Sequence, residues 1–433
     1  MRVLVTGGAG FIGSWTVDLL LQRGYRVRIL DNLEPRVHPH GKPAWLPREA
    51  EFIQGDVANP ADLSRALEGV DYVLHLAAYQ DYLPEFSRFI HTNAESAALV
   101  FELIVGDRTR YPVRKIVFAS SQSVCGEGRY LCRGALRLRS HRPGVLPGGQ
   151  AGGLGSPSAT LTPSRCPTGR TGRGAGEITY EPLHLGASAQ DSGHGVIVPE
   201  PRPIEQLRRG DWEIHCPLCG EYMQPLLIDE STVSPGTVYG ISKLAIELIA
   251  DRLGRRYDIP TACMRYTYVQ GPRNSFHNAY SGIARRFALQ LMNNWPPTVY
   301  EDGRQLRDYV NVRDVARANV LVMEDPRADF QVFNVGGGRA VTVLEFAGMM
   351  IEALGSGLEP EVKGEFRLGD TRHTVSDISR LRALGWEPQI PVEQNVREYV
   401  DWMRQQQASE EFLREAERVM QARGVIQLAK GPA

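Results

Sequence analysis

The sequence predicts an α/β fold built on a doubly wound parallel sheet. Three observations predict it. Short apolar runs alternate with segments of helical spacing through the first 128 residues. The first apolar run ends in a glycine-rich loop that opens directly into a helical pattern. An aspartate, Asp31, ends the second run shortly after that helix.

Taken in order, Arg2 to Thr6 reads as the first strand and Phe11 to Gln22 as a helix. Arg26 to Leu30, Phe52 to Gln54, Tyr72 to Leu76 and Lys115 to Ala119 follow as strands. Helices are expected over Ala61 to Leu67 and Asn93 to Val105. The rhythm stops from about Arg129 to His194, where Gly, Arg, Pro and Ser dominate and no packed core is expected. A loop this long inside a compact domain is unusual, so a true insertion and a stretch translated from a shifted frame both stay open. Order is expected again by Ile204. Val238 to Arg256 reads as a long helix and Thr261 to Tyr266 as a strand, and short elements alternate to about Pro391. Val392 to Arg423 predicts one or two charged terminal helices, with a frayed end at Ala429 to Ala433.

Bulk properties narrow the function. The 433 residues carry a formal net charge of -1, so nothing global suggests nucleic acid or an anionic membrane as partner. No apolar stretch reaches the roughly 18 residues of a membrane span, and the apolar start is too short for a signal peptide. Six cysteines in a chain this long are no disulfide framework, so a reduced, cytoplasmic setting is expected.

The loop after the first strand is Thr6-Gly-Gly-Ala-Gly-Phe-Ile-Gly13. Gly7 permits a tight turn, Gly10 lets backbone approach a pyrophosphate, and Gly13 lets helix and strand pack closely. Phe11 and Ile12 open the helix, whose N-terminal N–H groups favour phosphate. Asp31, followed by Asn32, can accept the hydroxyls of an adenosine ribose and repels a 2′-phosphate, so NAD is expected rather than NADP. Arg28 on the same strand is not expected to rescue NADP. Asp56 and Val57 follow the third strand and can meet the adenine, although Asp56 could equally cap the next helix. Leu76, Ala77 and Ala78 end the fourth strand with small residues where the dinucleotide passes.

Tyr239 and Lys243 stand at i and i+4 at the start of a predicted helix, on one face. A lysine near a phenol lowers its pKa toward working pH. Ser120 and Ser121 end the fifth strand, the edge where doubly wound sheets bind ligands.

Together with FASSQSVCG (Phe118 to Gly126), YGISK, Arg265-Tyr266, Gly271-Pro-Arg273, Arg307-Asp-Tyr309, Phe333-Asn-Val-Gly336, Arg367-Leu-Gly-Asp370 and Leu384-Gly-Trp-Glu-Pro388, these motifs resemble the extended short-chain dehydrogenases of the NAD-dependent epimerase/dehydratase family. The resemblance covers residues 1–128 and about 226–390, in order. It implies a Rossmann-type NAD-binding unit over 1–128 and 226–270, an insertion over 129–225, a smaller substrate-binding α/β unit over 271–400 that contributes to the sheet, and a helical tail over 401–433. It implies Tyr239 as the base at a sugar hydroxyl, expected at C4, with Lys243 and Ser121 beside it. Lys243 would also hold the nicotinamide ribose, and Asn93 would join the cofactor-binding set. Ser123, Arg307, Arg367 and Asp370 match positions that grip the substrate. The expected activity is 4-epimerisation of a nucleotide sugar by a homodimer, formed through the helices Asn93 to Val105 and Val238 to Arg256. A dehydrogenase, decarboxylase or reductase on a related sugar, or a non-catalytic NAD-binding scaffold, stay open as alternatives.

Departures from the family pattern carry information. Gln122-Ser123 replaces the acidic pair of the 4,6-dehydratases, which disfavours elimination of water. Cys125 and Tyr268 stand where the family has tyrosine and asparagine. Tyr79-Gln-Asp-Tyr82 is expected to line the sugar pocket. Finally, Cys216-Pro-Leu-Cys219 looks like half of a zinc knuckle. Cys132 and His194 are the expected completing ligands, with His215 and His141 as alternates, and the ion would be structural.

Overall fold

The computed structural model describes residues 1–81, 84–132, 195–275, 282–406 and 426–429. The strands Arg2–Thr6 (β1), Arg26–Asp31 (β2), Glu51–Gln54 (β3), Tyr72–His75 (β4) and Lys115–Ser121 (β5) come first in the chain. Arg129–Cys132 (β6), Val196–Ile197 (β7) and Met223–Leu226 (β8) form a small antiparallel sheet in the order β7-β6-β8. Thr261–Tyr266 (β9) and then Gln331–Val335 rejoin the large sheet.

That sheet has seven strands, all parallel, ordered Gln331–Val335, β9, β5, β4, β1, β2, β3. The period of two assigns side chains to its faces. Val3 and Val5 of β1, with Val117 and Ala119 of β5, enter one core beneath the helices Phe11–Gln22 (α1) and Val312–Glu324. Leu4, Ile116 and Phe118 enter the other, beneath Pro60–Leu67 (α2), Ser96–Gly106 and Val238–Tyr257. Both faces are covered, which is why these strands read as continuous apolar runs.

Most boundaries fall within one or two residues of the expectation. The helix expected from Asn93 starts earlier: the chain is already helical at Phe86, with a π-helical turn over Ile90–Glu95. Polar residues in that first stretch hide the period. Order also runs past Arg129 into β6, where Tyr130 and Cys132 are buried between part-exposed neighbours, and it returns at Val196 rather than Ile204. Strands of four and two residues beside glycine-rich sequence hold too few periods to read. The bulk of the expected irregular stretch, the expected helix beyond Gln406 and the last four residues lie outside the described residues. Among the described residues no helix is long and apolar enough to cross a membrane.

One buried ion pair ties the sheet to the helix that starts at Val238. Arg265 on β9 donates twice to Glu247 on that helix, at 2.8 and 2.7 Å. Ser120 on β5 donates to the same carboxylate. The other end of the guanidinium reaches the carbonyls of Glu230 and Thr232, each at 3.1 Å, and the Cys125 sulfur. Both charges are almost fully buried. Glu247→Ala leaves Arg265 buried and uncompensated, so urea unfolding should show a loss of about 3–5 kcal/mol. A loss below about 1 kcal/mol would contradict this role of the pair.

Candidate active site

A cavity of about 1430 Å³ runs across the carboxyl ends of the parallel strands. Ordinary small-molecule sites occupy roughly 300–1,000 Å³, so this one has room for two ligands end to end. Gly7, Gly10, Phe11, Ile12 and Gly13 form its floor at one end. Gly7 has φ +67°, and a Cβ there would lie 2.8 Å from Ala77. A Cβ on Gly13 would lie 2.1 Å from the Gly7 carbonyl oxygen. The loop therefore holds bare backbone against the cavity, and α1 begins behind Gly10 with no side-chain cap on its first turn. That arrangement suits an anion such as a pyrophosphate.

Asp31 is fixed at the same end, accepting from the amides of Ala9 (3.0 Å) and Leu33 (2.9 Å). Asn32 donates to Asp56 at 3.2 Å, and Asp56 accepts from the Ala58 amide at 2.9 Å. Asn59, not Asp56, caps α2, which leaves Asp56 on the cavity wall with Val57. Arg28 points away; it donates to the carbonyls of Ala66 and Glu68 and pairs with Glu51. This donor set fits a dinucleotide with a free ribose diol.

Leu76, Ala77 and Ala78 line the middle of the cavity. Their turn is held by Thr6, which accepts from the Ala77 amide (3.1 Å) and bonds His75 (3.2 Å). His75 also bonds Ser96 at 2.9 Å, and burial with the nearby Lys243 pushes its pKa down to about 3. Asn93 does not reach the cavity. It is fully buried behind the turn, where its amide exchanges hydrogen bonds with the Tyr79 backbone (2.8 and 3.1 Å) and donates to Ser242 (2.9 Å). Its place is between the turn and the Tyr239 helix, which it ties together.

Tyr239, Lys243 and Ser121 meet at the centre. Thr237 caps the helix by accepting from the Gly240 amide at 3.1 Å. Gly240 lets it sit on the turn Gln122–Cys125, since a Cβ there would lie 2.5 Å from the Ser123 carbonyl oxygen. The Tyr239 phenol shares a hydrogen bond with the Ser121 hydroxyl. Burial pushes Tyr239 up to about 12, and the Ser121 bond pulls the other way. Lys243 was expected to lower this phenol, and it does not do so here. Its ammonium donates to the Ala119 carbonyl at 2.8 Å and lies 5.7 Å from the centre of the Tyr239 ring. Burial brings Lys243 itself down to about 7.

The far end is cationic and aromatic. Arg307 donates to the carbonyls of Thr371 and Arg372, both at 2.9 Å, with its guanidinium 5.2 Å from the Tyr268 ring centre. Arg367 and Asp370 pair with each other at 3.0 and 2.6 Å. The Ser123 hydroxyl is buried on the cavity wall and has no hydrogen-bond partner among the described residues. Tyr79, Gln80 and Asp81 also line the cavity, whereas Tyr82 lies outside the described residues. Sequence reasoning missed three contributors. Arg286 stacks over Tyr300 at 4.2 Å, the segment Val37–Trp45 forms a side wall, and Arg202 from the insertion grips Glu301 with two bonds. Arg286 sits on the helix Ile283–Met292 but in no recognised motif, and the other two lie in irregular stretches, so no motif pointed to any of them.

Away from the cavity, Cys132, Cys216 and Cys219 come together, their sulfurs all within 4.8 Å of one another. His215 does not join them; it bonds the Gly220 carbonyl (2.9 Å) and Asp211 (2.8 Å). His194 and His141 lie outside the described residues.

The depressed Lys243 predicts a pH signature. The unfolded lysine keeps its proton to about pH 10.4, the folded one only to about 7. Between those values the unfolded state binds more protons, so stability rises with pH. The Tm of the ligand-free protein relative to Lys243→Met should therefore climb from pH 7 to 9. A difference that stays flat or falls would contradict the burial of a charged amine there.

The sequence pattern of the NAD dependent epimerase/dehydratase family matches residues 3–135 and 219–336. The dTDP-L-rhamnose 4-epimerase of Burkholderia thailandensis is 28% identical over 94% of this chain and 95% of its own. The UDP-glucose 4-epimerase of Thermotoga maritima, solved with UDP-glucose, is 26% identical with a TM-score of 0.63, covering 93% of this chain and 99% of its own. The UDP-glucose 4-epimerase of Thermus thermophilus, solved with NAD, is 25% identical with a TM-score of 0.63, covering 94% and 99%. With the family's pattern spanning more than half its length and a dinucleotide cradle at the strand ends, this chain belongs to the NAD-dependent epimerase/dehydratase family.

Proposed function

We propose that the chain inverts C4 of a nucleotide-diphospho-sugar through a transient 4-keto sugar. One observation carries this reading: a phenol hydrogen-bonded to a serine hydroxyl lines the same cavity as a bare glycine loop and a group of arginines. NAD, when bound, supplies the hydride acceptor and donor.

The residues of this chain do the rest. Gly7, Gly10 and Gly13, with the α1 N-terminus at Phe11 and Ile12, cradle the pyrophosphate. Asp31 takes the adenosine ribose hydroxyls, while Asn32, Asp56 and Val57 border the adenine. Leu76, Ala77 and Ala78 flank the cofactor's path. Tyr239 takes the proton from the C4 hydroxyl and later returns it, and Ser121 holds the reacting oxygen. Lys243 supplies cationic charge beside the phenol when protonated and bonds the nicotinamide ribose. Ser123 offers its hydroxyl to the sugar. Arg307 and Arg367 face the diphosphate, and Asp370 orients Arg367. Gln122 and Ser123 supply no acid and base for eliminating water, which supports epimerisation over dehydration.

The homodimer is part of the proposal. Ile90, Ile241 and Leu248, all on the two expected dimer helices or the turn leading into them, are 42%, 48% and 53% exposed. Ile241 and Leu248, seven positions apart on one helix, share a face, and exposed apolar side chains there support a second copy packing on it.

Purified protein incubated with UDP- and dTDP-hexoses should yield a C4 epimer without net NADH. Tyr239→Phe should keep NAD affinity and lose roughly 10²–10⁴-fold in kcat. Full activity in that variant, or no epimer from any donor with NAD bound, would overturn the proposal.

A further inference from the structure

The insertion holds a cluster that the proposed reaction does not use. Cys132 ends β6, and Cys216 and Cys219 sit on the turn that leads into β8. The turn is closed by backbone bonds from Gly220 to Cys216 (2.8 Å) and from Cys216 to Glu221 (2.8 Å). Gly220 has φ +74°, a conformation that favours glycine. The result is a knuckle that aims two sulfurs at the end of the adjacent strand. The three sulfurs lie within 4.8 Å of one another, and those of Cys132 and Cys219 are 3.5 Å apart. A disulfide needs about 2.05 Å. A tetrahedral ion with bonds of about 2.3 Å sets its sulfurs about 3.8 Å apart. The observed spacing is too long for a disulfide and within reach of one shared ion.

We propose that Cys132, Cys216 and Cys219 bind one structural Zn²⁺ as thiolates. The donor set is soft and all-sulfur, which selects zinc over magnesium or calcium. The core beneath it is small: Tyr130, Ile214 and Met223, with Cys132 and Cys216 themselves. A core that size does not hold three short strands in place alone, and a metal staple compensates.

The staple bears on the cavity through a chain of charges centred on the buried Arg372, Glu301 and Arg202. Glu213, two residues after the start of the turn's approach at Asp211, accepts from Arg372, which also pairs with Glu301 and Asp302. Tyr130 on β6 accepts from the His373 amide at 3.3 Å. Arg202, between β7 and β8, pairs with Glu301 and donates to the Asp370 carbonyl at 2.8 Å. The zinc would thus fix the sheet whose β7–β8 connection holds Arg202 against the substrate end of the cavity.

Full-length protein expressed with added zinc, then gel-filtered, should carry about one zinc per chain by mass spectrometry of the metal. Cys219→Ser, at the exposed ligand, should lower this at least tenfold while the protein stays folded. Replacing the zinc with cobalt should give an intense thiolate charge-transfer band that the same variant lacks. Stripping wild type with a strong chelator should raise KM for the nucleotide sugar and leave NAD affinity unchanged. That last readout rests on the proposed sugar-nucleotide chemistry, but the metal content and the cobalt spectrum do not. No bound metal after supplementation, a cobalt spectrum without the charge-transfer band, or a Cys132–Cys219 disulfide in unreduced peptides would overturn the site.

Discussion

The buried bond between Arg265 and Glu247 is the constraint on which the rest of the site depends. It joins β9 to the Tyr239 helix, and Ser120 adds β5 to the same carboxylate. Ser121 and Tyr239 are therefore held by one electrostatic knot. In a low-dielectric interior such a knot is costly to break and tolerant of only one geometry. That is what a proton transfer over hydrogen-bond distance requires, since a displacement of about 1 Å can cost roughly 10²-fold in rate.

The cavity is polarised along its length. One end offers bare backbone, a helix terminus and the Asp31 carboxylate; the other offers arginines stacked on tyrosines. Between them lie the acid–base groups Ser121, Tyr239 and Lys243. Burial raises Tyr239 to about 12 and lowers Lys243 to about 7, so in the ligand-free chain the phenol keeps its proton while the amine divides between its two forms near neutral pH. The site is poised rather than ionised, and Lys243 is drawn toward the Ala119 carbonyl instead of the phenol oxygen.

Much of this was legible in the sequence because it rests on local rules. The strand, glycine loop and helix from Arg2 to Gln22 fall where the period and the glycines placed them. Tyr239 and Lys243 share a helix face by their spacing alone, and three of the four expected thiol and imidazole ligands are described together, as cysteines. What stayed hidden depends on contacts distant in sequence. Asn93 was expected in the cofactor-binding set, and its bridge to Ser242, 149 positions away, could not be read from the sequence. Arg202 lies in a stretch with no motif, and distant partners give it a place: Glu301, 99 positions on, and the Asp370 carbonyl, 168 positions on. The strand β6 was invisible because four residues next to a glycine-rich run carry no usable period.

The central claim is that hydrogen leaves C4 and returns to the same carbon within one closed site. Its most direct test is a nucleotide sugar labelled with deuterium at C4. The account predicts an epimer that keeps the deuterium at C4 and picks up none from solvent. Loss of the label to water, or its accumulation in released NADH, would contradict it.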